Sequence, residues 1–369
     1  MASNGENRSV KTLRLPVDPS SLHSYEAQAA IARAAEILRG GGLVALPTET
    51  VYGLGANALD SAAVARIFEA KQRPAWDPII VHIAGPVHRN PMLEPLVIEL
   101  APVARELMNA FWPGPLTLLL PRSEAVPDIV TAGRPLVGVH MPAHPVAFEI
   151  IRQAGVPVAA PSANVFGHIS PTTAAHVLED LDGKIEAVVD AGPTRHGVES
   201  TVLDPAKYPM LIYRPGAITA QQIREVAGPV EFFEERTLPR KSIREALPSP
   251  GVGLRHYAPR ARLVLIEGTL ADLPERLAAA AQMHSKARIG LMLPTELAGI
   301  DLGVPLQNEI EFDWGRWSAP EELAEKLYAG LRSLDSQGCE VILCPMPAVA
   351  GIGEAIRDRL RKAACSAGD

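Results

Sequence analysis

Hydroxyl, amide and basic side chains recur in this chain directly after short apolar runs. LPTETVYGLG crowds Thr48, Glu49, Thr50 and Tyr52 behind the run LVAL, where hydroxyls and backbone N–H groups can hold a small polar ligand at the end of a sheet. KQRP places Lys71 and Arg73 at the end of a helical segment, a position where the dipole favours cations with or without a ligand. The next run, IIVHI, carries His82; a lone histidine of that kind is ordinarily a satisfied core residue. PSANVFGHISPT then supplies Ser162, Asn164 and Ser170, GVESTVLD supplies Ser200 and Thr201, and YRPG supplies Arg214. All lie at or just past a strand-like run, where open α/β sheets bind their ligands.

Other chemistries lack their motifs. No P-loop, G-x-S-x-G elbow, H-E-x-x-H or kinase signature occurs. GLGANA and GIGEAI are partial dinucleotide fingerprints without the preceding strand and downstream acid that complete one. His140 and His144 are four apart, but Pro142 breaks the helix that would align them on a metal. Cys339, Cys344 and Cys365 are odd in number and lack C-x-x-C spacing, which fits neither a disulfide framework nor a zinc site. A net charge of −7 gives no overall basic field for long nucleic acid, although a small anion can still be bound in a local pocket.

The elements that must position these groups follow from length and rhythm. At 369 residues, 47% of them hydrophobic, the chain suits two folded cores. From Gly40 to about Arg214, runs such as LVAL, IIVHI, LTLLL, LVGVHM and MLIYR alternate with helical segments such as SAAVARIFEAK and TAAHVLEDL. This predicts an α/β domain on one large mixed sheet, assigned to residues 20–228. Residues 229–261 lose the rhythm and are proline-punctuated; up to Arg262 they carry seven Lys/Arg against four Glu, so a basic linker able to fold over an anion is expected here. From 262 to 369 the strand and helix alternation predicts a small parallel-sheet domain, with Ser318 and Glu321 as a capping box. No apolar run approaches the ~18–20 residues of a membrane helix, and MASNGENRSV lacks a signal-peptide core. A cytoplasmic protein without membrane contact is expected.

Taken together, LPTETVYGLG, KQRP, FWPGPLTLLLP, PSAN, GHISPT, VESTV, YRPGAIT and SPGVGLRHYAP resemble one family over nearly the whole chain beyond about residue 20. The chain resembles the L-threonylcarbamoyladenylate synthases in their long form, a YrdC-like twisted mixed-sheet domain followed by a linker and a small Rossmann-like domain. The resemblance implies a nucleotidyltransferase that joins L-threonine, bicarbonate and ATP, with Mg²⁺, into threonylcarbamoyl-AMP and pyrophosphate. It implies hand-over to a separate tRNA threonylcarbamoyl-transferase complex acting beside the anticodon, without stable tRNA binding by this chain.

By the same resemblance Thr50, His82, His140, Ala160 and Ser200 would contact threonine. Arg73, Asp77, Leu136, Ser162, Asn164, Ser170, Arg214 and Tyr257 would line the ATP side, with Lys71 and Arg73 supplying catalytic positive charge. His256 and Tyr257 of HYAP would belong to a lid that shields the labile mixed anhydride. Metal ligands are not identifiable.

Four positions depart from the family pattern. Asp77 stands where K-x-R-P-x-x-N-P has asparagine, putting a carboxylate near expected phosphates unless it holds Mg²⁺ or points away. His140 stands where V-x-V-R-x-P has arginine, so it binds a carboxylate only when protonated, or Arg122 or Arg134 substitutes. Gly253 and Leu254 replace the usual lysine and tyrosine of the lid. Two other readings stay open: a carbamoyl-adenylate-forming carbamoyltransferase on the same fold, and a non-catalytic RNA-binding module, which low aromatic content (5%) argues against.

Overall fold

The computed structural model describes residues 11–234, 249, 252, 257–304 and 309–365. Among them two sheets form. The strands of the first are β1 (Leu13–Pro16), β2 (Val44–Pro47), β3 (Tyr52–Asn57), β4 (Ile80–His82), β5 (Leu116–Pro121), β6 (Leu136–His140), β7 (Val158–Ala159), β8 (Ala187–Asp190), β9 (Thr201–Asp204), β10 (Met210–Arg214) and β11 (Val230–Phe232). They lie side by side in the order 1-8-2-3-7-4-6-5-9-10-11, mixing parallel and antiparallel pairs. The second sheet, β12 (Arg262–Ile266), β13 (Ile289–Pro294), β14 (Ile310–Gly315) and β15 (Val341–Pro345), is parallel throughout, in the order 12-15-13-14. The α/β alternation in the sequence is this architecture. β1 and β11 fall outside residues 20–228 yet pair into the large sheet.

Seven helices accompany the large sheet: α1 (Tyr25–Arg39), α2 (Ser61–Lys71), α3 (Pro102–Phe111), α4 (Asp128–Thr131), α5 (Pro145–Ala154), α6 (Ala174–Leu181) and α7 (Ala220–Ala227). Three accompany the small one: α8 (Leu273–Met283), α9 (Pro320–Ser336) and α10 (Gly353–Ala364). α2 shows how the sequence builds the scaffold. Asp60 caps its N-terminus by accepting from the N–H groups of Ala62 and Ala63. Val64, Ile67, Phe68 and Lys71 fall on its buried stripe at helical spacing, and Gln72 ends it in the left-handed region at φ 53°.

Several local expectations change. Ser318 and Glu321 form no capping box; α9 starts at Pro320 after an uncapped Ala319, because proline's fixed φ is already suited to the first helical position. GLGANA is not a dinucleotide turn but most of β3, and Gly55 is there for close approach: a Cβ would come within 2.9 Å of the Val158 side chain. Most of the linker, with Gly253, Leu254 and His256, lies outside the described residues.

The two units share a packed seam. Val51, Ile169 and Val198 of the first pack in one apolar cluster with Tyr257, Leu323, Leu327, Tyr328 and Ile356. Gly197, at φ 67°, lies so close to α9 that a Cβ would meet the Ala324 carbonyl at 2.2 Å. Arg332 of α9 reaches back to Glu179 (2.9 Å), Asp180 (2.8 Å) and the Ile169 carbonyl (2.5 Å).

Candidate active site

Strand register sets one wall of the site. β4 and β6 run parallel with His82 opposite His140, and β5 runs antiparallel to β6 with Thr117 opposite His140. Register partners project to the same face, so Thr117, His140 and His82 form a row across three strands. β9 lies parallel to β5, and its preceding Ser200 is 2.7 Å from Thr117, hydroxyl to hydroxyl. The turn between β2 and β3 folds against this row. There Thr48 and Thr50 share a 2.8 Å hydroxyl contact, and the Thr48 hydroxyl donates to the Val51 carbonyl at 2.6 Å.

Of these groups Thr48, Thr50, His82, His140 and Ser200 line a cavity of about 590 Å³ of atom-free space, part of it solvent. Thr50, His82, His140, Ala160 and Ser200, all expected on the threonine side, line it. Arg73, Ser162, Arg214 and Tyr257, expected on the nucleotide side, line it too. Residues scattered over more than two hundred positions thus meet in one cavity.

Five expected site residues do not line it. Lys71 is buried, because it sits on the inward stripe of α2, and its Nζ donates to the carbonyls of Ser162 and Asn164, both at 2.5 Å. It tethers the loop rather than facing a phosphate. Asn164 works in the same loop, its Nδ2 donating to Val165 (2.9 Å) and His168 (2.8 Å) carbonyls. Ser170 donates to Glu199 at 2.6 Å. Leu136 packs against the apolar cluster of Ile80, Leu119 and Val202.

Asp77 is the most informative of the five. It is fully buried behind Arg73, with its Oδ2 2.9 Å from the Arg73 Nη2. It is a counter-ion to Arg73 and does not line the cavity. Arg73 also donates to the Asp77 carbonyl at 3.1 Å and the Pro78 carbonyl at 2.7 Å. Burial raises the Asp77 carboxyl above its ordinary range, against the pull of Arg73, Lys71 and Arg214.

His140 is likewise committed. Its Nε2 faces Glu49 Oε1 at 3.0 Å and the Gly114 carbonyl at 2.9 Å, so it is the protonated donor nitrogen, and Glu49 Oε2 accepts from the Ala143 N–H at 3.1 Å. Burial pushes Glu49 up, but His140 outweighs it and holds the carboxyl below its usual range. Arg122 is bound to Asp128 (2.5 Å) and Thr131 (3.2 Å), and neither it nor Arg134 lines the cavity. His82 is different. Burial, reinforced by His140, lowers its ring to about 3, so it is neutral, and its buried Nδ1 meets no partner.

Two cations line the cavity among the described residues, Arg73 and Arg214. Arg214 is fixed by Ser200, its Nε donating to the carbonyl and its Nη2 to the hydroxyl, both at 3.1 Å. The lining also contains Glu199, which a reading by motif passes over because it is the acidic member of VESTV. Burial pushes Glu199 up, but Arg359 and Arg214, with hydrogen bonds from Arg359 and Ser170, hold it at about 2. Among the described residues no group of three or more His, Cys, Asp or Glu side chains could cage a metal ion.

The family described as "Telomere recombination", of the Sua5, YciO and YrdC type, matches residues 36–216, and "Threonylcarbamoyl-AMP synthase, C-terminal domain" matches residues 218–365. The chain is 43% identical to the threonylcarbamoyl-AMP synthase of Pyrococcus abyssi, over 89% of this chain and 92% of that one. It is 44% identical to that of Bacillus subtilis, over 90% and 92%. Its structure matches that of P. abyssi Sua5 complexed with L-threonine with a TM-score of 0.84 at 40% identity, covering 96% of this chain and 98% of that one. The chain belongs to the threonylcarbamoyl-AMP synthase family.

Proposed function

We propose that the chain makes L-threonylcarbamoyl-AMP and pyrophosphate from L-threonine, bicarbonate and ATP. The observation that carries this reading is one cavity lined both by neutral polar groups suited to a small amino acid and by two arginines suited to phosphates. The threonine side takes Thr50, His82, Ala160 and Ser200, all of which line the cavity. His140 shapes this side through its bond to Glu49. The nucleotide side takes Arg73, Ser162, Arg214 and Tyr257.

The chemistry is consistent with that inventory. The threonine amine attacks the carbon of bicarbonate-derived CO₂, forming an N–C bond and an N-carboxylate, with water released overall. A carboxylate oxygen then attacks the α-phosphorus, the new O–P bond forms and pyrophosphate leaves with the electron pair of the bond that breaks. Bringing these anions together is the catalytic problem, and Arg73 and Arg214 answer it by charge neutralisation and alignment. The attacking carboxylate is already ionised, so this step needs no protein base. The described residues do not fit a protein cage for Mg²⁺; such an ion would travel with ATP, bound through phosphate oxygens and water.

In this reading the product passes to a separate transferase complex that modifies tRNA in the cytoplasm. Among the described residues no helix is long and apolar enough to cross a membrane. Incubation with ¹⁴C-bicarbonate, ATP and threonine tests the reading: label must appear in a nucleotide whose mass equals threonylcarbamoyl-AMP. Label in a carbamoyl-AMP lacking the amino acid would move the chain to the carbamoyl-transfer reaction.

A further inference from the structure

The cavity wall contains a carboxylate that belongs to neither substrate side, and two of its three side-chain partners come from the second unit. Glu199 Oε2 accepts from Arg359 Nε of α10 at 2.7 Å and from the Tyr328 hydroxyl of α9 at 2.9 Å. Oε1 accepts from Ser170 at 2.6 Å and stands 3.2 Å from the same tyrosine hydroxyl. Both oxygens are therefore engaged. Arg359 is itself buried, and its Nη2 donates to the Pro215 carbonyl at 2.9 Å. One guanidinium thus touches the residue before Ser200 and the residue after Arg214. Those two segments are pressed together: a Cβ on Gly216 would lie 2.6 Å from the Glu199 carbonyl.

This arrangement has an electrostatic consequence. Glu199 and Arg214 line the same cavity, and an ungripped carboxylate there would pair with Arg214 and repel a triphosphate. The ring of Tyr257 lies over Arg359, 5.3 Å from the guanidinium carbon to the centroid, and stacks on Tyr328 at 5.6 Å. The lining residue contributed by the linker therefore rests on the same two side chains.

We propose that Arg359, assisted by Tyr328, is a positioning residue for nucleotide binding: it turns the charge of Glu199 away from the cavity and leaves Arg214 to the phosphates, so the second unit sets ATP affinity. This deepens the proposed function and rests on it. ATP binding is measured directly by titration calorimetry on the full chain, and turnover separately. Arg359→Met weakens ATP binding by about tenfold or more, while threonine binding changes by less than about threefold. Adding Glu199→Gln to Arg359→Met removes the stray charge and restores ATP binding to within about threefold of wild type. Tyr328→Phe keeps the ring and gives a smaller loss of the same kind, which serves if Arg359→Met does not fold. ATP binding unchanged in both single variants, equal losses for ATP and threonine, or a double variant no better than Arg359→Met would overturn the clamp. A wild-type chain that binds ATP but releases no pyrophosphate would instead count against the functional reading alone, and one that binds no ATP would remove both.

Discussion

His82 and His140 stand side by side on β4 and β6 with ring centroids 4.8 Å apart, and they are not equivalent. His140 gives its Nε2 proton to Glu49 and Gly114, whereas the Nδ1 of His82 is buried without a partner. In the proposed function the amino acid would meet, in His82, a ring that burial lowers to about 3 and keeps neutral. Calorimetric threonine affinity should be flat between about pH 5.5 and 8. A steady fall through pH 6 to 7 would reinstate a protonated His140 as the carboxylate ligand. His82→Ala should weaken threonine binding by roughly tenfold, the value of one buried hydrogen bond.

Lys71 gives a prediction opposite to that of a phosphate-binding lysine. Its Nζ satisfies two loop carbonyls at 2.5 Å, so Lys71→Met leaves both acceptors unpaired and should cost about 1–3 kcal/mol of stability. Thermal melting checks this. An unchanged melting temperature with turnover abolished would show that the side chain works in the cavity after all.

Asp77→Asn restores the family pattern, and from the sequence it should help by removing a negative charge. The structure predicts harm. Arg73 loses a fully buried counter-ion at 2.9 Å, and breaking such a pair should destabilise the chain by about 3 kcal/mol. Chemical denaturation of the two proteins decides between a loss and a gain.

Much of this was legible in residues and some was not. The helix at 61–71 follows from its period, and that period already puts Lys71 on the inward stripe, a signal that it is a buried tether. GLGANA misleads because glycines that suit a phosphate turn equally suit a strand crossing close neighbours, as Gly55 does against Val158. The spacing of Ser318 and Glu321 fits a capping box, but Pro320 takes the first helical position. Glu199 escapes because its partner, Arg359, is 160 residues away, and no local pattern encodes a contact between units.

The same carboxylate makes the seam acid-sensitive. Glu199 is held at about 2, below its ordinary 4.5, so its contribution is full above about pH 4.5 and is lost as pH falls toward 2. The melting-temperature gap between wild type and Glu199→Gln should be widest near neutrality and close over that window. A gap independent of pH would contradict an ionised, gripped Glu199.

Pyrophosphate release measured across the twenty amino acids, with and without bicarbonate, shows whether one cavity joins threonine, bicarbonate and ATP. The expected release requires L-threonine and bicarbonate together. Release that follows another amino acid, proceeds without bicarbonate, or does not occur would contradict it.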